Sequence, residues 1–353
     1  MIHLQIDDEN EEYSLYESPL FNKATDSFQI LSREFNRALK KINQYSSLSD
    51  AKYVGYATPF PFGATPKKAI PFYITVWETI NKLSEVHIQH TKNQNNILIG
   101  MSDQISNLYL KEGIRCETLH VGCDTDFWRP TQEKHKKFTF LFSGDTSIRS
   151  GLDLSVEAFH LAFQSNQNVQ LVIKITKNNQ NALLTKINEY KLKGSNIHTL
   201  CGFFNRGEMR DLYSSCHVGL NVLRMASWGL PLHEMSACGC LVITGDAAPT
   251  NVVIEKDYGI LLKPKKEIPI HPKAYELKSS WGLINYCEGI PYSEPPMFYD
   301  FNVEEYAELL KNIYTNWSSY QKIDTRSPIV KRWKWANAAE NLVKILQKYE
   351  LAS

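Results

Sequence analysis

The stretch from Val218 to Thr244, VGLNVLRMASWGLPLHEMSACGCLVIT, constrains the fold more than any other part of the chain. It opens on an apolar run, Val218 to Leu223, that reads as a buried strand. A loop carrying Arg224, Ser227 and Trp228 leads to Gly229-Leu230-Pro231, where a short helix begins. Proline suits a first helical turn because the N–H it lacks would be unpaired there anyway, and Gly239 stands where a C-terminal glycine ends the helix. A second apolar run, Leu241 to Thr244, follows at once. Strand, helix and strand in so short a space make a βαβ unit, so the class is α/β with a parallel sheet and a ligand crevice at the carboxyl ends of its strands.

The start of that helix has chemistry to offer. Free N–H groups at a helix N-terminus attract anions, and Gly229 lets a ligand come close to the backbone, so a phosphate beside Gly229, Leu230 and Pro231 is physically sensible. Glu234, one turn in, can accept two hydroxyl hydrogen bonds, as from a ribose. The plainer reading of Glu234 is a carboxylate that complements the helix dipole or caps the helix.

The words GLPLHEMSACGCLVIT resemble the signature of the family 4 type retaining glycosyltransferases of the GT-B fold. That resemblance implies two Rossmann-like parallel-sheet domains facing a cleft, with a C-terminal helix crossing back to the first domain. Matched residue by residue, Glu234 takes the place of the glutamate that grips the nucleotide ribose. Ala226 falls where the first of the family's two glutamates, the one that contacts the donor sugar, is expected. A second match is Gly122-Cys123-Asp124-Thr125-Asp126-Phe127-Trp128-Arg129-Pro130, which resembles the family's crossing segment between domains. Asp124-Thr125-Asp126 also spells a D-x-D metal signature, but Gly122, Phe127 and Pro130 around it favour the crossing segment.

The resemblance extends to other candidate residues. After the strand Phe138–Ser143 the family carries two cations that neutralise the donor diphosphate; here Asp145 and Ser150 occupy those positions, and Arg149 stands one residue early. A metal-free site that expels a diphosphate needs cations or N–H groups to stabilise it, which makes Arg149 the first candidate and Arg224 the second. Ser150 and Gly151 would adjoin the donor. The plainer readings are a helix-start ion pair for Arg149 and a surface arginine for Arg224. In Ile74-Thr75-Val76-Trp77-Glu78-Thr79, Glu78 is placed to hold an acceptor hydroxyl or steady the developing sugar cation; the alternative is a surface carboxylate. His87 and His90 read as loop histidines rather than sugar contacts. Phe203 and Phe204 read as base wall or as ordinary core. Where the family has a further glutamate the chain has Thr250-Asn251-Val252.

Elsewhere strand and helix patterns alternate. Ile2–Ile6, Tyr53–Tyr56, Ile70–Val76 and Ile97–Met101 read as strands of a first half, with helices over Ser27–Ile42 and Asp103–Glu112. Phe138–Ser143, Val169–Ile175, Ile197–Gly202 and Gly259–Leu262 read as strands of a second, with helices over Leu152–Phe163, Leu183–Leu192 and Arg206–Ser214. Lys263–Tyr299, rich in proline and glycine, reads as a long surface excursion, before helices over Val303–Trp317 and Arg332–Tyr349. A chain of 353 residues exceeds one ordinary core. It divides into a shortened N-terminal, acceptor-side domain (1–130), a nucleotide-sugar-binding domain (131–325) and a closing helix (326–353). Asp7 to Glu12 lack the glycine-rich loop that most GT-B proteins carry after their first strand.

A net charge of +1 gives no field to gather nucleic acid, although Lys40-Lys41, Lys136-Lys137 and Lys263, Lys265 and Lys266 leave room for a peripheral contact with anionic lipid. Seven cysteines without framework spacing read as buried thiols of a reducing cytoplasm, and Cys238-x-Cys240 is too tight for zinc. An acidic N-terminus and the lack of a long apolar run point the same way. The expectation is a cytoplasmic glycosyltransferase of hexosyltransferase type. It moves a sugar from a UDP- or GDP-linked donor to a hydroxyl on a glycan, a lipid-linked acceptor or a protein, with retention and without metal or other cofactor. Its rivals are a nucleotide- or glycan-binding protein without turnover, argued by Ala226, Asp145 and Ser150, a sugar-nucleotide epimerase or phosphorylase of the same fold, and a structural partner protein.

Overall fold

Runs of apolar residues in both halves of the chain become strands that pair side by side in parallel. A computed structural model describes residues 1–4, 25–47, 50–57, 68–77, 79–92, 96–175, 181–269 and 297–352. Asp7 to Glu12, Glu78, Cys287 and most of the excursion after Lys263 lie outside them. The chain divides into two compact units: Met1–Trp77 with Leu83–Asp124 and Trp333–Ser353, and Glu78–Lys82 with Thr125–Arg332.

In the first unit β1 (Ile2–Leu4), β2 (Tyr53–Ala57), β3 (Ile70–Thr75), β4 (Ile97–Gly100) and β5 (Glu117–Thr118) lie in that order, all parallel. Its helices are α1 (Thr25–Lys41), α2 (Glu85–Lys92), α3 (Asp103–Lys111) and a closing helix, Trp335–Ala352. The Asn36 side chain on α1 grips both backbone groups of Leu4, at 2.8 and 2.9 Å, so helix and edge strand are tied by paired hydrogen bonds. The closing helix packs on α1, with the rings of Phe35 and Trp335 edge to face at 5.0 Å. Ser102 caps α3 by accepting the Ile105 N–H. Among the described strands the order never reverses, so the crevice rule directs attention to the other sheet.

In the second unit β6 (Phe138–Ser143), β7 (Val169–Ile175), β8 (Ile197–Cys201), β9 (Val218–Asn221), β10 (Leu241–Gly245) and β11 (Ile260–Leu262) stand in the order β11-β10-β9-β6-β7-β8, all parallel. The chain winds outward from β6 to β8, returns to the other side of β6, and winds outward again. That is the dinucleotide-fold order, with its switch point between β6 and β9. Helices α4 (Leu152–Phe163), α5 (Asn181–Leu192), α6 (Arg206–Ser215), α7 (Leu230–Ala237) and α8 (Thr250–Val253) connect the strands. Every residue of β6, β9 and β10 is buried, which is why those segments read as continuous rather than alternating apolar runs. Phe140, Phe159 and Phe163 form an aromatic cluster beneath α4, covered by the helix Val303–Thr315. Asn205 and Glu208 make a reciprocal capping box at the start of α6.

Several expected boundaries move. The units part at Asp124/Thr125 and at Arg332/Trp333, and Glu78–Lys82 count with the second unit. The excursion after Lys263 contains an antiparallel pair, β12 (Lys266–Pro269) with β13 (Met297–Asp300), anchored by the buried side chain of Phe298. His87 is no loop histidine: it sits in α2, fully buried, with its Nε2 against the Tyr109 hydroxyl, which in turn lies 2.8 Å from the Thr75 hydroxyl.

Candidate functional site

Two loops leave the sheet at the switch point, one from β6 into α4 and one from β9 into α7, and they are laced together. The Arg224 N–H donates to the Arg149 carbonyl at 2.9 Å, and the Arg149 Nη1 donates to the Met225 carbonyl at 3.3 Å. Beneath them the Asn221 side-chain amide donates to the Ser143 carbonyl at 3.0 Å, joining the ends of β9 and β6 where the crevice opens. Gly151 is where the loops press closest. Its φ is +68° and a Cβ there would lie 2.1 Å from the Val222 carbonyl oxygen, so only glycine fits. Its evident role is this close approach.

Asp145 organises the β6–α4 loop. One carboxylate oxygen accepts the Ser147 N–H at 2.8 Å and the Ser147 hydroxyl at 2.5 Å, and the other accepts the Arg149 Nη2 at 2.5 Å. Burial pushes its carboxyl up, but the Arg149 guanidinium and the Ser147 donors outweigh that and leave it below the usual range, so Asp145 is ionised. Arg149 thus makes the helix-start ion pair offered above as its plainer role, and it does so at the mouth of the switch point. Ser150 is buried, its hydroxyl within reach of the Asp145 carbonyl at 2.9 Å and the Ser147 carbonyl at 2.7 Å, so it serves the loop from inside.

Arg224 departs from both of its sequence readings. It is not a surface arginine, being 3% exposed, and its guanidinium is held within the protein: Nη1 and Nη2 clamp the two Asp153 oxygens at 2.7 Å each, and Nη1 also meets the Ile148 carbonyl at 2.7 Å. Burial would lower its pKa, but Asp153 above all, with Asp300 and Glu157, raises it instead. A guanidinium so committed ties α4 to β9 rather than receiving a phosphate.

The helix α7 begins as expected. Gly229 has φ +110°, and Gly229, Leu230 and Pro231 are all half-buried. Its donors are fewer than a helix start usually has, because the Leu232 N–H is taken by the Gly229 carbonyl at 3.0 Å and Pro231 has none. Among the described residues the Leu230 N–H has no hydrogen-bond partner, and it is the group left for an anion. Gly239, φ +77°, ends the helix as anticipated. Glu234 is half-buried, on the side of α7 that faces the end of β6: burial and then the Glu234 charge push the buried Tyr213 hydroxyl well up, and that hydroxyl lies 3.2 Å from the Ser143 hydroxyl. Ala226, where the resemblance expects a carboxylate, is 3% exposed.

The structure therefore gathers Arg149, Ser150, Gly151, Arg224, Gly229, Leu230, Pro231 and Glu234 around one switch point, with Ser150, Gly151 and Arg224 turned to internal work. Glu78 lies outside the described residues. Sequence reasoning missed Asp153, Asn221, Tyr213 and Lys174. Asn221 and Lys174 left a signal, each being a buried polar residue at the carboxyl end of a largely apolar strand. Phe203 is 56% exposed, so it is not core, while Phe204 lies 4.5 Å beneath the Lys174 Nζ. Asp124 is half-buried and Asp126 exposed; among the described residues no group of three or more His, Cys, Asp or Glu could hold a metal ion. Five of the six described cysteines are buried free thiols and Cys201 is exposed; burial pushes Cys238 up to about 12 and Cys240 to about 11. No helix among the described residues is long and apolar enough to cross a membrane.

Comparison with known proteins agrees with this fold. The family described as Glycosyl transferases group 1 matches residues 124–276, which contain the switch point, α7 and both laced loops. Sucrose-phosphate synthase from Thermosynechococcus elongatus is similar over 100% of this chain and 89% of that one, with a TM-score of 0.62 and 14% identity. A glycosyltransferase from Rickettsia africae ESF-5 matches over 92% and 83% (TM-score 0.59, 12% identity), and Anabaena Alr3699/HepE in complex with UDP and glucose over 91% and 83% (TM-score 0.58, 10% identity). At such identities the likeness is one of fold. No curated protein matches the chain in sequence.

Proposed function

We propose that this chain, a glycosyltransferase of the GT-B fold whose residues 124–276 are a group 1 domain, moves a hexose-type sugar from a UDP- or GDP-linked donor to a hydroxyl acceptor, with retention and without a metal ion. What supports the reading is that Arg149 lies on the loop leaving β6, while the Leu230 N–H and Glu234 belong to the helix that follows the loop leaving β9, the two loops that flank the switch point. Glu234 accepts hydrogen bonds from the ribose, and Arg149 with the Leu230 N–H faces the diphosphate as negative charge builds on it. The Anabaena neighbour, solved with UDP and glucose, supports a uridine-linked donor.

On this reading the acceptor oxygen attacks the anomeric carbon from the face the diphosphate is leaving. The bond from carbon to the phosphate oxygen breaks with its electron pair going to the diphosphate, the new C–O bond forms, and the acceptor proton passes to the departing phosphate. Such a path asks for no protein nucleophile. Acceptors are glycan, lipid-linked or protein hydroxyls, with Glu78 the candidate to hold one. The buried thiols suit a reducing cytoplasm.

Two observations favour a second reading, binding without turnover: Arg149 is already neutralised by Asp145, and Ala226 brings no carboxylate to the sugar. Incubation with nucleotide sugars and an acceptor panel in EDTA decides. Nucleotide release with a product of unchanged anomeric configuration is expected. Ligand-stabilised melting without release across every acceptor supports the second reading, and an inverted product defeats the front-face path.

A further inference from the structure

Lys174 is a buried cation without an ion-pair partner among the described residues, Glu208 acting on it only from farther off. It is 5% exposed, stands at the carboxyl end of β7, and among the described residues no carboxylate lies within ion-pair distance. Its Nζ donates to the Gly202 carbonyl at 2.7 Å, reaches the Ile175 carbonyl at 3.4 Å, and lies 4.5 Å over the Phe204 ring. Buried charges are ordinarily paired, because an ammonium stripped of water is costly. An ammonium also has three hydrogens to give, and one of these two contacts is long.

Its position relates it to the site. Lys174 is the direct register partner of Ser143, so the two side chains share one face of the sheet on strands about 4.8 Å apart. On that face Ser143 meets Tyr213, and Tyr213 feels Glu234. Lys174 is thus one strand beyond the carboxylate proposed to hold a ribose. On the β9 side the space is taken by the Arg224–Asp153 clamp. On the β7 side stands Phe203, a large aromatic side chain 56% exposed, next to the glycine whose carbonyl Lys174 holds. A flat ring attached to the ribose and directed toward the carboxyl end of β7 would come to the Lys174 ammonium at its edge.

Resting on the donor reading above, we infer that Lys174 reads the base, giving an N–H to the keto oxygen at position 4 of uracil or position 6 of guanine. The ammonium has donors and no acceptor, so adenine and cytosine, which present amino groups there, are disfavoured. Burial holds the Lys174 pKa below its usual value, against the opposing pull of Cys201 and Glu208.

The test is a titration of the full chain with UDP, GDP, CDP and ADP, followed by calorimetry. The wild type should bind UDP or GDP at least about tenfold more tightly than CDP and ADP, the worth of one charge-assisted hydrogen bond. Lys174→Met should bring the affinities together while melting as a folded protein. A Lys174→Met chain that keeps the preference overturns the inference and leaves the donor reading standing. Should that variant not fold, the ligand is cut instead: a diphosphate of 2-pyrimidinone riboside or 2-aminopurine riboside, lacking the keto oxygen, should lose the same factor against wild type. Equal binding of that analogue overturns the inference. Failure of the wild type to bind any of the four nucleotides overturns both the inference and the donor reading.

Discussion

Replacing Arg224 with methionine separates a structural arginine from a phosphate-binding one. In the folded chain its guanidinium satisfies both oxygens of Asp153 and the Ile148 carbonyl, and its Nε lies 4.0 Å from Asp300. The Arg224 and Asp153 side chains are 3% and 9% exposed. Arg224→Met therefore leaves one carboxylate buried and unpaired, and strips Asp300 and Glu157 of a nearby cation. Breaking a buried pair from one side costs about 3–5 kcal/mol. In a unit of this size each kcal/mol lowers Tm by about 2–4 °C, so a fall of about 6–20 °C is expected. Removing both charges, as Asp153→Leu with Arg224→Met, should restore most of the loss, because two apolar side chains can fill the space of a buried pair without stranding either charge. The assay is scanning calorimetry of the two singles and the double, with nucleotide affinity measured on each folded chain. An Arg224→Met protein that melts within about 2 °C of wild type yet loses nucleotide affinity would refute the structural role.

Arg149→Ala should lower kcat about a hundredfold while KM changes less, as for loss of one donor to a leaving group, in steady-state assays with the active donor; an equal rise in KM with kcat intact would show binding alone. Gly151→Ala forces a side chain at φ +68° into the Val222 carbonyl, and should cost more than about 2 kcal/mol and weaken nucleotide binding, as read by melting and titration. His217 gives a pH signature. Its Nδ1 accepts the Thr139 N–H at 3.1 Å, and burial, with Lys134 and His135 nearby, lowers its pKa to about 4. The unfolded chain takes up this proton first as pH falls, near the ordinary value of about 6.5. The contribution is thus whole above that pH and is lost progressively down to the folded value, about 3 kcal/mol in full. Denaturant midpoints at neutral and acid pH should diverge less for His217→Asn than for wild type, and equal slopes would contradict the assignment.

How much was legible depended on whether a residue's partner was near in sequence. β6, β7 and β10 were readable because parallel strands buried on both faces are continuous apolar runs. α2 was not, because the residues it turns inward include His87 and Thr91, polar side chains that erase the apolar period. The β12–β13 pair hid behind lysines and proline, with Phe298 its one deeply buried side chain. In the site, the Arg149–Asp145 pair was visible as an i, i+4 relation. Arg224 was misread because its partner lies 71 residues away, a proximity that only the strand order creates. Lys174 stood in plain view inside an apolar run, but its relation to Ser143 exists only in the register of β6 with β7.

The central claim is that a nucleotide sugar docks at the start of α7 with its ribose on Glu234. Calorimetric titration of wild type and Glu234→Ala with UDP and GDP tests it most directly. The account predicts that the alanine protein melts like wild type and binds the preferred nucleotide about ten to a hundredfold more weakly, the loss of charge-assisted hydrogen bonds to the ribose hydroxyls. Equal affinity in the two proteins would contradict it.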